Sequence, residues 1–103
     1  MLSLIKKLFG GTSVDFKQLM NEGALIIDVR TPGEFKSGHI KGAINIPLDQ
    51  LSSKVSDLKK KNKKLITCCR SGSRSGMAKG ILRSAGLDCV NGGPWDSLNR
   101  KIS

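Results

Sequence analysis

A chain of 103 residues can bury one modest core, which excludes two independently folded domains. Its 38% hydrophobic and 25% charged residues are ordinary for a globular protein, and no apolar run approaches the roughly 20 residues of a membrane-spanning helix. The net charge of +10, from 18 Lys and Arg against 8 Asp and Glu, draws anions at long range, with candidates from small oxyanions to tRNA.

Residues 1–12 begin Met1-Leu2-Ser3-Leu4-Ile5-Lys6-Lys7-Leu8-Phe9, an apolar stretch too short and interrupted for a secretory signal, so a cytoplasmic location is expected. Leu4, Ile5 and Leu8 give this extension an apolar face that would cover the domain, a weak membrane-surface anchor being the alternative. The domain itself is expected over residues 13–103. Ser13 is the candidate N-cap of a helix reaching Glu22, with Gly23 as its stop. Residues 24–29, Ala-Leu-Ile-Ile-Asp-Val, form an apolar run closed by Thr31-Pro32-Gly33, the pattern of a strand buried on both faces. Asp28 and Arg30 therefore sit at its carboxyl end.

A helical turn over residues 34–37 and a short strand over 43–46, stopped by Pro47, come next. Residues 51–61 space Leu51, Val55 and Leu58 along one helical face. The following Lys59-Lys60-Lys61-Asn62-Lys63-Lys64 lacks aromatic residues for base stacking and reads as a solvated helix end, so stable nucleic-acid binding is not expected. Residues 65–68 form a third strand that runs into Cys69-Arg70-Ser71-Gly72-Ser73-Arg74-Ser75. A helix through Met77, Ala78, Ile81, Leu82 and Ala85 follows, then a last strand over 87–90, followed by Gly92-Gly93-Pro94 and a short helix around Trp95 to Leu98. Strands alternating with helices define an α/β fold with a mainly parallel central sheet and helices on both faces, whose ligands bind at the carboxyl ends of the strands.

The 69–75 loop lies at such an end. Gly72 and the small Ser71, Ser73 and Ser75 let the backbone curl its N–H groups inward, and the next helix adds its positive dipole end. A cysteine facing those donors is favoured as thiolate, which makes Cys69 a nucleophile near neutral pH. Arg70 and Arg74 suit an oxyanion, Arg70 as the direct contact and Arg74 alternatively as a scaffold partner of Asp28 or Glu34. Asp28 and Arg30 are read as pinning the loop, because a carboxylate beside the thiolate would oppose its ionisation. Cys68 and Cys89 read as buried packing residues, with a resolving role for Cys89 as the alternative. Three cysteines without a C-x-x-C pair, and His39 as the single histidine, suggest neither a disulfide framework nor a metal site. His39 reads as a turn residue and Trp95 as a core or rim residue, and no cofactor is implied.

From Ser13 to Leu98 the chain resembles the rhodanese-like family. The resemblance is carried by Leu25-Ile26-Ile27-Asp28-Val29-Arg30-Thr31-Pro32 with Glu34-Phe35, by residues 38–47, Gly-His-Ile-Lys-Gly-Ala-Ile-Asn-Ile-Pro, by the 69–75 loop, and by Gly92-Gly93 before Trp95. It implies a thiosulfate sulfurtransferase activity in which Cys69 accepts a sulfane sulfur as a persulfide from thiosulfate or another small anionic donor. The backbone of residues 70–75 would hold that sulfur, and a thiol, cyanide or a protein acceptor would take it. Phosphatases of similar fold place five residues between their cysteine and arginine, whereas four separate Cys69 from Arg74, a ring sized for one sulfur. Two other readings stand beside this one: a sulfur-relay carrier for tRNA thiolation or cofactor assembly, and a regulatory binding module that keeps only the fold.

Overall fold

The computed structural model describes residues 14–103, so the amphipathic extension over 1–12 and the capping role of Ser13 lie outside the described residues. Helix α1 (Phe16–Asn21) is capped by Asp15, whose carboxylate accepts from Gln18 N at 3.0 Å. The described helix thus starts at Phe16 behind the Asp15 cap. Phe16 is buried and Val14 is exposed.

Strands β1 (Leu25–Asp28), β2 (Ile44–Asn45), β3 (Leu65–Cys69) and β4 (Cys89–Pro94) form one sheet in the order β2-β1-β3-β4. Every neighbouring pair is parallel. Successive side chains of a strand point to opposite faces, and the core divides accordingly. Ile27, Leu65 and Cys69 join Leu51, Leu58 and Leu82 on one face. That face is covered by a 3-10 segment (Leu48–Lys54), α3 (Val55–Lys61) and α4 (Ser73–Ser84). Ile26, Ile66 and Cys68 join Phe16 and Leu98 on the other face, beneath α1 and α5 (Trp95–Ile102). Adjacent in sequence, Cys68 and Cys69 therefore belong to different layers.

Three elements depart from the sequence expectation. The expected helix over 51–61 is a 3-10 segment followed by the shorter α3, which stops where Asn62 adopts φ 51°. Asn is among the few residues that take this left-handed conformation at low cost. Helix α5 continues past Leu98 to Ile102, whose side chain packs with the α1 side of the core. Strand β4 begins at Cys89 and runs through Gly92 and Gly93 to Pro94, past the expected end at Val90. A Cβ on Gly92 would lie 2.8 Å from Thr67 O and 2.9 Å from Ile66 Cγ2, so the absent side chain is what lets β4 press against β3. No described helix is long and apolar enough to cross a membrane.

Candidate active site

The carboxyl ends of β1 and β3 bring the predicted residues together around the 69–75 loop. Cys69 ends β3 and is fully buried. Its Sγ accepts from Gly72 N at 2.9 Å and from Ser75 N at 3.3 Å, and Ser75 Oγ lies 3.3 Å away, placed to donate to a thiolate. Gly72 takes φ +97°, a conformation that a side chain would strain, and this sends its N–H back to the sulfur. Burial pushes the Cys69 thiol up. The hydroxyl of Ser75 and the N–H groups of Ser75, Gly72 and Ser71 outweigh it and hold the pKa below the ordinary thiol value.

The other cysteines have the opposite character. Burial pushes the Cys68 thiol well up, helped by the nearby Asp28 carboxylate, and pushes Cys89 up to about 11. All three are free. Cys89 pairs with Leu65, four positions before Cys69 on β3. At the ~3.3 Å rise of a parallel strand the two cysteines lie about 13 Å apart, beyond disulfide reach. This geometry removes the resolving alternative for Cys89.

Asp28 and Arg30 are both buried, and they form a fork. Arg30 Nε donates to Asp28 Oδ1 at 2.9 Å and Arg30 Nη2 to Asp28 Oδ2 at 2.7 Å. Asp28 shares the Cys68 side of the sheet, so its carboxylate stays off the Cys69 side. Arg30 reaches onward to the carbonyls of Glu34 and Gly38 at 3.1 and 2.7 Å, and its guanidinium lies 4.8 Å from the Trp95 ring centroid. It thereby ties helix α2 (Pro32–Lys36) to the sheet. Trp95 packs against Gly38, where a Cβ would meet its ring at 3.2 Å. His39 is exposed, stacks on Phe35 and bonds the Phe35 carbonyl through Nδ1.

Arg74 and Glu34 form a second fork, with Nη1 to Oε1 at 2.7 Å and Nη2 to Oε2 at 2.9 Å. This pair, and the Thr31 N–H, hold the Glu34 carboxyl down at about 2. Arg70 is exposed and makes no ion pair among the described residues. Ser71 and Ser73 are exposed beside it, while Ser75 is buried. Two depressions flank the loop. One, of about 210 Å³, is lined by Arg30, Glu34, Ser37, Gly38, Arg70 and Trp95. The other, of about 330 Å³, lies between Val29, Thr31, Pro47, Leu48, Asp49 and Arg74.

Sequence reasoning missed three residues that hold this arrangement. Asn45 Nδ2 donates to the carbonyls of Asp28 and Arg30 at 3.0 and 2.9 Å, and Thr67 Oγ1 donates to Ser75 O at 2.9 Å. Asn91 Nδ2 donates to Gly72 O at 3.3 Å. The two asparagine contacts depend on strand register, and the threonine contact on the curl of the loop, which no local signal announces.

A buried cysteine in a curled strand-to-helix loop, over a four-stranded parallel sheet, is the arrangement of the rhodanese class. The rhodanese-like domain family matches residues 12–93, and the chain belongs to that family. It is 39% identical over 79 residues to the thiosulfate sulfurtransferase PspE of Escherichia coli, covering 74% of this chain and 76% of PspE. It is 44% identical over 63 residues to YqhL of Bacillus subtilis, an uncharacterized protein, and spans about half of YqhL, 61% of this chain against 49% of that one. Among solved structures, a rhodanese with anions from E. coli superposes with a TM-score of 0.66 at 34% identity, covering 72% of this chain and 89% of that one. A rhodanese-related protein from Thermoplasma volcanium superposes with a TM-score of 0.70 at 30% identity, covering 86% and 91%.

Proposed function

We propose that this protein is a sulfurtransferase that carries a sulfane sulfur on Cys69. The observation that carries the reading is the set of donors converging on Cys69 Sγ from Gly72 N, Ser75 N and Ser75 Oγ. They favour a thiolate without a paired base, and His39 bonds the Phe35 carbonyl instead.

In the proposed cycle the Cys69 thiolate attacks the outer sulfur of thiosulfate. The donor's S–S bond breaks, and sulfite leaves with the electron pair. An organic persulfide donor reacts in the same way and loses a thiolate. The Cys69 persulfide then gives its terminal sulfur to cyanide, as thiocyanate, or to a thiolate, as a new persulfide, and Cys69 returns as thiolate. No net oxidant is consumed. Because Cys69 is covered, the exposed Arg70, Ser71 and Ser73 side of the loop must open to admit the donor. Arg70 meets the anionic part of the donor, while Arg74, held by Glu34, supports the loop. PspE, a thiosulfate sulfurtransferase related over most of both chains, supports thiosulfate as a donor.

Steady-state kinetics with thiosulfate and cyanide test the proposal. Double displacement through a covalent intermediate gives parallel reciprocal plots. Intersecting plots, or no thiocyanate above background, overturn it.

A further inference from the structure

We infer that Asn91 is a positioning residue for Cys69: its side-chain amide anchors the apex of the loop, so that the Gly72 N–H stays aimed at the sulfur. The inference builds on Cys69 as the reactive thiol, but it concerns the state of that thiol and not the identity of the sulfur donor.

Asn91 lies on β4, in register with Thr67 of β3. Between Thr67 and Cys69 the register slips, from Thr67 opposite Asn91 to Cys69 opposite Pro94, so β4 carries one extra residue there. Such a bulge re-aims the side chains beside it. The Asn91 amide bridges two left-handed glycines. Its Nδ2 donates to Gly72 O at 3.3 Å, and its Oδ1 accepts from Gly93 N at 2.9 Å, with φ +97° at Gly72 and +78° at Gly93.

Gly72 provides the shortest hydrogen bond to Cys69 Sγ, at 2.9 Å. Glycine has the widest conformational choice of any residue, so this N–H keeps its aim only if the flanking peptide is held. The Gly72 carbonyl is held by Asn91 and by Gly76 N at 3.0 Å. Gly76 lies beside the same amide, and a Cβ there would stand in ordinary contact with Asn91 Nδ2 at 3.4 Å.

The test is the pH profile of Cys69 alkylation by iodoacetamide, read by peptide mass, which needs no sulfur donor. Asn91→Ala and the near-isosteric Asn91→Leu remove the amide, and each should move the midpoint up by about half a pH unit or more, the equivalent of one modest hydrogen bond. Asn62→Ala, which strains the left-handed cap of α3 away from the loop, should leave the midpoint in place. A wild-type midpoint in folded Asn91→Leu would show that Asn91 only fills space and would overturn the inference. An equal shift in Asn62→Ala would overturn it as well, by showing a general loosening. Persulfide loading of the unmodified protein is scored separately, so failure of sulfur transfer and failure of this positioning role are distinguishable.

Discussion

Arg74 and Glu34 meet side by side, two guanidinium nitrogens on two carboxylate oxygens at 2.7 and 2.9 Å, and so tie the first turn of α4 to α2. Glu34 also caps α2 by accepting from Thr31 N at 3.0 Å while Thr31 Oγ1 accepts from Glu34 N. One carboxylate thus secures both a helix start and the loop that holds Cys69. Its pKa falls from the ordinary 4.5 to about 2. A group depressed on folding contributes stability above its unfolded pKa and loses that contribution as pH falls through the folded one. The protein should therefore lose stability between about pH 4.5 and 2, and Glu34→Gln should remove that part of the dependence. Urea midpoints across this range check it. The pair is partly exposed, so the loss should be a minor share of the total.

Ser75 is the strongest single support of the thiolate. It gives Cys69 both its N–H and its hydroxyl, and its own carbonyl is fixed by Thr67 Oγ1 at 2.9 Å. Ser75→Ala removes the hydroxyl alone. A hydrogen bond to a charged group contributes about 1.5–3 kcal/mol, so the Cys69 pKa should rise by about one to two units. Alkylation at neutral pH should slow accordingly, and Ser75→Thr should recover most of the rate.

Arg70 and the lysine block make separable demands. Arg70 is exposed beside the 210 Å³ depression, whereas Lys59, Lys60 and Lys61 close α3, before β3 begins at the end of the sheet away from Cys69. The length of β3, about 13 Å at ~3.3 Å per residue, exceeds the Debye length of about 8 Å at physiological ionic strength. Arg70→Ala should raise the thiosulfate KM by about one to two orders of magnitude with little change in kcat. Neutralising the three lysines should flatten the salt dependence of turnover without abolishing transfer. Loss of the persulfide in the lysine variant would contradict their placement as a solvated face.

Gly92 should tolerate no side chain. A Cβ there meets Thr67 O and Leu98 Cδ2 at 2.8 Å, and the carbonyl belongs to a central strand that cannot swing away. Gly92→Ala should cost about 1–3 kcal/mol, the usual penalty of overpacking. Gly33→Ala, with nothing within 4 Å of the added atom, serves as the control. Thermal or urea unfolding of the two variants reads the difference.

The parts of this site that were legible in the sequence are those encoded by neighbours. Asp28 with Arg30, and the small residues after Cys69, lie within a few positions of one another, and their chemistry follows from order and spacing. The Asp28 carboxylate occupies the layer opposite Cys69 because strand side chains alternate. That same alternation separates Cys68 from Cys69. Asn91 and Asn45 were not legible, since each acts through the parallel sheet on a segment far away in the chain, and Thr67 was not because its bond to Ser75 O forms only once the loop has curled back over the strand. The extent of β4 past Val90 was hidden for a related reason. Gly and Pro weaken a strand reading, and only the nearness of Thr67 O on β3 shows why a strand at Gly92 must lack a side chain.

The measurement that bears most directly on Cys69 as the sulfur carrier is intact mass after incubation with thiosulfate, followed by peptide mapping. The account predicts one added sulfur on Cys69, removed by dithiothreitol, and none on Cys69→Ser. Cys68 and Cys89 should stay unmodified, because burial pushes both thiols up, Cys89 to about 11. An added sulfur that persists in Cys69→Ser, or that maps to Cys68 or Cys89 in the unmodified protein, would contradict the account.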